Sequence, residues 1–107
     1  MFIVRFVALL NSTQGVLLAA LMDGQERYGL QLVERVRERT DGDVVLGQGT
    51  LYPALRALER DGLVMGSEGE ALPEKGGRPR RFYKITSEGH RVASRQRLTW
   101  AQLFDLK

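Results

Sequence analysis

The sequence predicts an α+β fold, mostly α, in the order helix, helix, helix, hairpin, helix. Three observations predict it. Leu51, Ala54, Leu55 and Leu58 are apolar at i, i+3, i+4 and i+7 between flanking glycines, the stripe of a half-buried helix. Two extended patterns, 63–65 and 81–85, bracket a segment rich in Gly and Pro, as in a hairpin with a long tip. Two shorter helical patterns precede this unit, and a capped helical pattern follows it.

Length and composition bound the answer. With 107 residues, 43% of them hydrophobic, the chain predicts one small domain, which a partner subunit would help stabilise. It has no cysteine, so it has no disulfide or thiolate metal site, and a cytoplasmic location is expected. The net charge of +3 is mild, but its distribution is uneven. Arg78, Arg80, Arg81 and Lys84 crowd together, and Arg91, Arg95 and Arg97 follow, a pattern that suits either a polyanion or a solvated face. Residues 1–10 are apolar, but Arg5 interrupts them and no small-residue cleavage pattern follows. Neither a signal peptide nor a membrane span is expected.

The elements are justified in order. Residues 1–11 form an apolar N-terminal extension, equally compatible with helix or strand. Asn11, Ser12 and Thr13 offer N-caps for a helix over 13–22, with Val16, Leu17, Ala20 and Leu21 buried and Asp23-Gly24 ending it. A second helix covers 28–39, with Leu32, Val33 and Val36 inward and Glu34, Arg35, Arg37 and Glu38 in water. After the Asp41-Gly42-Asp43 turn, Val44-Val45-Leu46 reads as a short extended rung. The third helix runs between Gly47 and Gly62, with Pro53 in its first turn, where a missing N–H costs no ladder bond. Residues 70–79 are too broken for regular structure. In the strand over 81–85, Tyr83 and Ile85 share one face and Phe82 and Lys84 the other. Thr86 caps a last helix to about Phe104, whose stripe of Ala93, Trp100, Leu103 and Leu106 is sparse. Three helices with a hairpin make a winged helix-turn-helix over 12–86, and 87–107 forms a C-terminal dimerisation helix. In that architecture the third helix enters the major groove and the hairpin tip touches the flanking backbone.

At this point the chain resembles the PadR-like winged-helix transcriptional regulators. The resemblance rests on Tyr28-Gly29, Gly49-Thr50-Leu51-Tyr52-Pro53-Ala54-Leu55 with Leu58-Glu59 and Gly62-Leu63, Gly77-Arg78-Pro79-Arg80-Arg81-Phe82-Tyr83, Ile85-Thr86 with Gly89, and Trp100. It implies a dimeric, DNA-binding bacterial repressor, often one that answers to a small aromatic or toxic compound, of the branch with a single C-terminal helix. Four features depart from the family pattern. Leu30 replaces a second aromatic, the loop 24–27 lacks a proline, Gly15 stands at a usually apolar position, and residues 1–10 have no counterpart.

The candidate DNA-binding set is Tyr28, Gln48, Thr50, Tyr52, Pro53, Arg56, Arg60, Lys75, Arg78, Arg80 and Arg81. Tyr52 can reach a phosphate or sugar, or pack on the wing. Gln48 and Thr50 sit at a helix N-terminus that favours phosphate, though Thr50 can equally cap the helix. Arg56 and Arg60 can fork to a guanine, at about 1–3 kcal/mol of discrimination, or equally contact phosphate, and Arg60 can instead pair with Glu59 or Asp61. Arg78, Arg80 and Arg81 form the wing base, stiffened by Pro79, with Lys75 at the tip.

A dimer and ligand seam is expected at Ala93, Gln96, Trp100, Leu103 and Phe104, with Trp100 first an interface residue and second a stacking platform for a planar effector. His90, the single histidine, has no Cys or second His beside it to hold a metal. Glu68, Glu70 and Glu74 have no partner base, and no catalytic constellation or cofactor-binding motif is found. The expected function is thus a homodimeric repressor on a near-palindromic operator, with its two reading helices about 34 Å apart. A protein–protein adaptor and a ligand-binding protein without strong DNA binding are the alternatives; an enzyme, a membrane protein and a metalloprotein are not expected.

Overall fold

The computed structural model describes residues 10–71 and 79–105. In chain order the elements are α1 (Ser12–Ala20), β1 (Arg27–Tyr28), α2 (Gly29–Arg39), α3 (Gln48–Arg60), β2 (Val64–Ala71), β3 (Pro79–Ile85) and α4 (Ser87–Phe104). The arrangement is the expected winged helix-turn-helix followed by one long helix. The apolar segment 1–9, and the tip 72–78 with Lys75 and Arg78, lie outside the described residues.

Local chemistry sets the helix ends. Asn11 accepts a hydrogen bond from the Gln14 amide at 2.8 Å while Gln14 accepts one from the Asn11 amide at 3.2 Å, a reciprocal cap on α1. The helix ends at Ala20, two residues before the expected Met22. From Leu21 on, the backbone bonds tighten to the third residue back, Leu21 to Leu18 and Met22 to Ala19. At the other end of α3, Gly62 takes φ +76°. The Leu63 amide then reaches the Leu58 carbonyl and the Gly62 amide the Glu59 carbonyl, which satisfies the last turn and buries Leu63.

Leu17, Leu18, Leu21, Leu32, Leu51, Leu55, Leu58 and Val92 are fully buried and form the centre of the core. They come from α1, the turn after it, α2, α3 and α4, so the core is a helical layer with the sheet on its flank. Thr86 joins the two parts. Its hydroxyl accepts from the Gly89 amide at 2.9 Å and reaches the Gly62 and Leu63 carbonyls at 2.8 and 3.1 Å. The start of α4 lies so close to the start of β2 that a Cβ on Gly89 would stand 2.0 Å from the Leu63 carbonyl oxygen.

Three expectations are corrected. Val44-Val45-Leu46 is not a strand: the Val44 amide donates to the Thr40 hydroxyl at 3.0 Å, and Val45 is exposed. The third strand is instead Arg27–Tyr28, which pairs antiparallel with β3 through Arg27↔Tyr83 and Tyr28↔Phe82, giving the order β1-β3-β2. Regular pairing also enters the segment expected to be broken, since β2 runs to Ala71 and β3 starts at Pro79. Arg35, expected in water, is partly buried and lies 3.4 Å from Asp23.

Asp23 organises the α1–α2 connection. It accepts two bonds at 2.8 Å from Arg27, whose guanidinium also caps the Ala20 carbonyl at 2.9 Å. The Arg27 hydrogen bonds hold the Asp23 carboxyl well below the usual carboxylate range. A carboxylate depressed in this way contributes stability above its unfolded pKa and loses it as pH falls through the folded value. Asp23→Asn is therefore expected to destabilise by roughly 1 kcal/mol at neutral pH, a figure discounted for partial exposure. Urea unfolding of both proteins should converge as the pH is lowered below about 4.

Candidate nucleic-acid interface

The faces of α3 decide which of its residues can meet a partner. Leu51, Ala54, Leu55 and Leu58 are buried against the helical core. Opposite them, Gly49, Pro53, Arg56 and Arg60 form an exposed stripe at helical spacing. Arg56 makes no ion pair among the described residues, whereas Arg60 lies 3.3 Å from Asp61, a largely exposed pair that costs little to break. Gln48 and Thr50 are exposed in the first turn. Neither caps the helix, because Gly47 occupies the N-cap with no side-chain bond. The Gln48 and Gly49 amides are thus available to an anion, whereas the Thr50 amide already donates to the Gly47 carbonyl at 3.1 Å.

Tyr52 and Glu59 stand on the shoulder between the buried and exposed stripes. Tyr52 is 39% exposed, and its hydroxyl lies over the first residue of α2. A Cβ on Gly29 would stand 2.4 Å from that hydroxyl. Tyr52 therefore packs against the start of α2, with one edge left to solvent.

The wing sorts its residues by strand alternation. Tyr83 is buried, so Arg81, two residues before it, shares the face turned towards α3. Its guanidinium pairs with Glu59 of α3, and a Cβ on Gly66 would stand 2.7–2.9 Å from guanidinium atoms. Glu59 raises the Arg81 pKa above the ordinary guanidinium value. Arg80 and Phe82 take the other face. There Tyr28 meets the Phe82 ring edge-on at 5.5 Å, and the Arg80 guanidinium lies over the Tyr28 ring at 4.2 Å. A half-buried stack of this kind contributes about 0.5–2 kcal/mol and orders the guanidinium over the ring. Tyr28 is thus the platform for a wing arginine.

The expected seam residues fall into two groups. Ala93 and Gln96 are buried against α1, and the bare Gly15 makes room for Gln96, since a Cβ there would lie 3.1 Å from the Gln96 side-chain nitrogen. Trp100, Leu103 and Phe104 are 44%, 63% and 74% exposed, with the Trp100 and Phe104 rings stacked at 5.7 Å. Between α1 and α4 runs a groove of about 340 Å³ bordered by Leu10, Val16, Ala19, Met22, Ala93 and Trp100. Among the described residues no cluster of His, Cys, Asp or Glu is arranged to hold a metal, and no helix is long and apolar enough to cross a membrane.

The sequence reading missed the supporting residues: Glu59, Phe82, Gly29 and Gly66. The signal for Glu59 was its spacing of seven from Tyr52, which puts both on one shoulder of the helix. The signal for Arg81 was its spacing of two from an apolar strand residue.

Comparison with known proteins follows the same outline. Residues 17–95 match the transcriptional regulator PadR-like family. A protein of Lysinibacillus sphaericus is 27% identical over 82 residues, which span 77% of this chain and 72% of its own. A transcriptional regulator from Clostridium thermocellum superposes with a TM-score of 0.72 at 29% identity, covering 84% of this chain and 83% of that one. A PadR family transcriptional regulator from Eggerthella lenta gives 0.70 at 30% identity, covering 86% and 74%.

The contact between Gly29 and Tyr52 can be checked by stability alone. Gly29→Ala is expected to cost about 1 kcal/mol, because the added methyl must displace the phenol. In a Tyr52→Ala background the same substitution should cost nothing, as read by urea unfolding.

Proposed function

The chain belongs to the PadR-like family of transcriptional regulators, and from that premise we propose that it is a homodimeric repressor. It binds double-stranded DNA at a near-palindromic operator and is released by a small planar compound at the dimer seam. The observation that carries the reading is the exposed stripe of α3, where Arg56 and Arg60 stand opposite a fully buried leucine face. An arginine there reads a guanine edge, and Gln48 and Thr50 at the helix start take phosphate. Tyr52, with its free edge, lies beside the sugar–phosphate backbone, and Pro53 packs against it. On the wing, Arg80 on its Tyr28 platform grips the flanking backbone, joined by Arg78 and Lys75.

The dimer follows from α4. Trp100, Leu103 and Phe104 are too exposed for one subunit to use, and burying each fully is worth about 1.5–3 kcal/mol. Two such helices crossing a two-fold axis cover each other. The groove beside Trp100 is of ligand size and mostly apolar. Both α1 and α4 border it, and α1 packs directly on α3, so a guest that wedges the two helices apart shifts the reading heads. Release requires that the guest bind the DNA-incompetent arrangement more tightly. Transcription regulation, not catalysis, is the assignment that the family carries.

Two measurements test this. Fluorescence anisotropy with a labelled random duplex should give binding that falls steeply with salt, and Arg56→Ala should weaken it. A selection of bound genomic fragments should then return a near-palindrome, on which Arg56→Ala relaxes the preference at one base position per half-site, by about 1–3 kcal/mol. Light scattering should give a dimer for the wild type and a monomer for Leu103→Glu. Salt-independent binding, or a monomeric wild type, would remove the reading.

A further inference from the structure

We propose that Glu59 is a positioning residue whose ion pair with Arg81 fixes the wing to α3 and withdraws Arg81 from DNA, which leaves Arg80 as the backbone-gripping arginine of the described wing. The proposal rests on the DNA-binding reading above and goes beyond it in dividing two adjacent arginines between two jobs.

Four observations carry it. The alternation of β3 puts Arg81 on the face of buried Tyr83 and Arg80 on the opposite face. The Arg81 guanidinium meets the Glu59 carboxylate, so it arrives as a neutral pair and not as a free cation. Gly66, on the neighbouring strand, gives the guanidinium a bed that any side chain would fill. Arg80 instead lies over the Tyr28 ring, with no carboxylate beside it among the described residues. Arg81 thus bridges two elements that meet DNA separately, the reading helix and the wing. Glu59 stands one turn after Arg56 and directly before Arg60, so its pair with Arg81 fixes the wing angle beside the exposed arginine stripe.

The test uses the full chain, a labelled random-sequence duplex and the slope of log affinity against log salt, which counts released counterions. Arg80→Gln is expected to lower the slope by about one unit, and Arg81→Gln to leave it unchanged. Glu59→Gln frees Arg81 and should steepen the slope by about one unit, and the swap Glu59→Arg with Arg81→Glu should restore the wild-type value. A slope lowered by Arg81→Gln but unmoved by Glu59→Gln would overturn the proposal. Thermal melts of the same variants judge the pair without DNA. The double Gln variant should melt no lower than the worse single one, and additive losses would overturn the pairing. A wild type that binds no duplex would overturn the DNA reading and the wing's role with it, while the melts still decide whether Glu59 and Arg81 are coupled.

Discussion

The rotation of α3 about its own axis is the constraint on which the rest depends. Four apolar side chains, Leu51, Ala54, Leu55 and Leu58, are buried on one side, three of them at 1% exposure or less. Interiors are close-packed, so a helix seated this way cannot turn without opening cavities. Every other residue of α3 then has its direction settled. Arg56 and Arg60 must point away from the core, and Tyr52 and Glu59 must stand at its edge. The proposed reading surface is the complement of a packing surface.

The wing obeys the same logic with a period of two. Burial of Tyr83 seats β3 on the helical core and assigns Arg81 and Arg80 to opposite faces. A two-residue strand, β1, makes the difference between a loose hairpin and a supported one. Through it Tyr28 sits opposite Phe82, and the ring pair in turn carries Arg80. The position of β1 is held by Asp23 and Arg27, which also close the end of α1. One ion pair in a turn thus reaches the wing through a short chain of packed groups.

The last helix is divided along its length. Gly89, Val92, Ala93 and Gln96 are buried in the subunit, while Trp100, Leu103 and Phe104 extend past it. A single helix that begins in the core and ends in the open couples whatever covers its far end to the packing of α1. The groove beside Trp100 lies at that transition. That is the place where the proposed dimer seam would meet the proposed guest.

The sequence by itself determined the helices, the hairpin and the family, because each is written in local patterns. The α3 stripe, the Thr86 cap, the Gly62 stop and the alternation at 82–85 all depend on neighbours within a few residues. The motifs around Tyr52 and around Arg80 carried the resemblance for the same reason. What only the tertiary structure decided were the contacts between distant segments. Residues 27–28 become a strand because β3 lies beside them, not because two residues have a periodicity. The apolar 44–46 is the local exception, since the Thr40 hydroxyl four residues back takes the Val44 amide. Arg80 and Arg81 look alike as neighbours in a basic run. Their partners, Tyr28 and Glu59, come from elements far away in the chain, and only folding brings those side chains within reach.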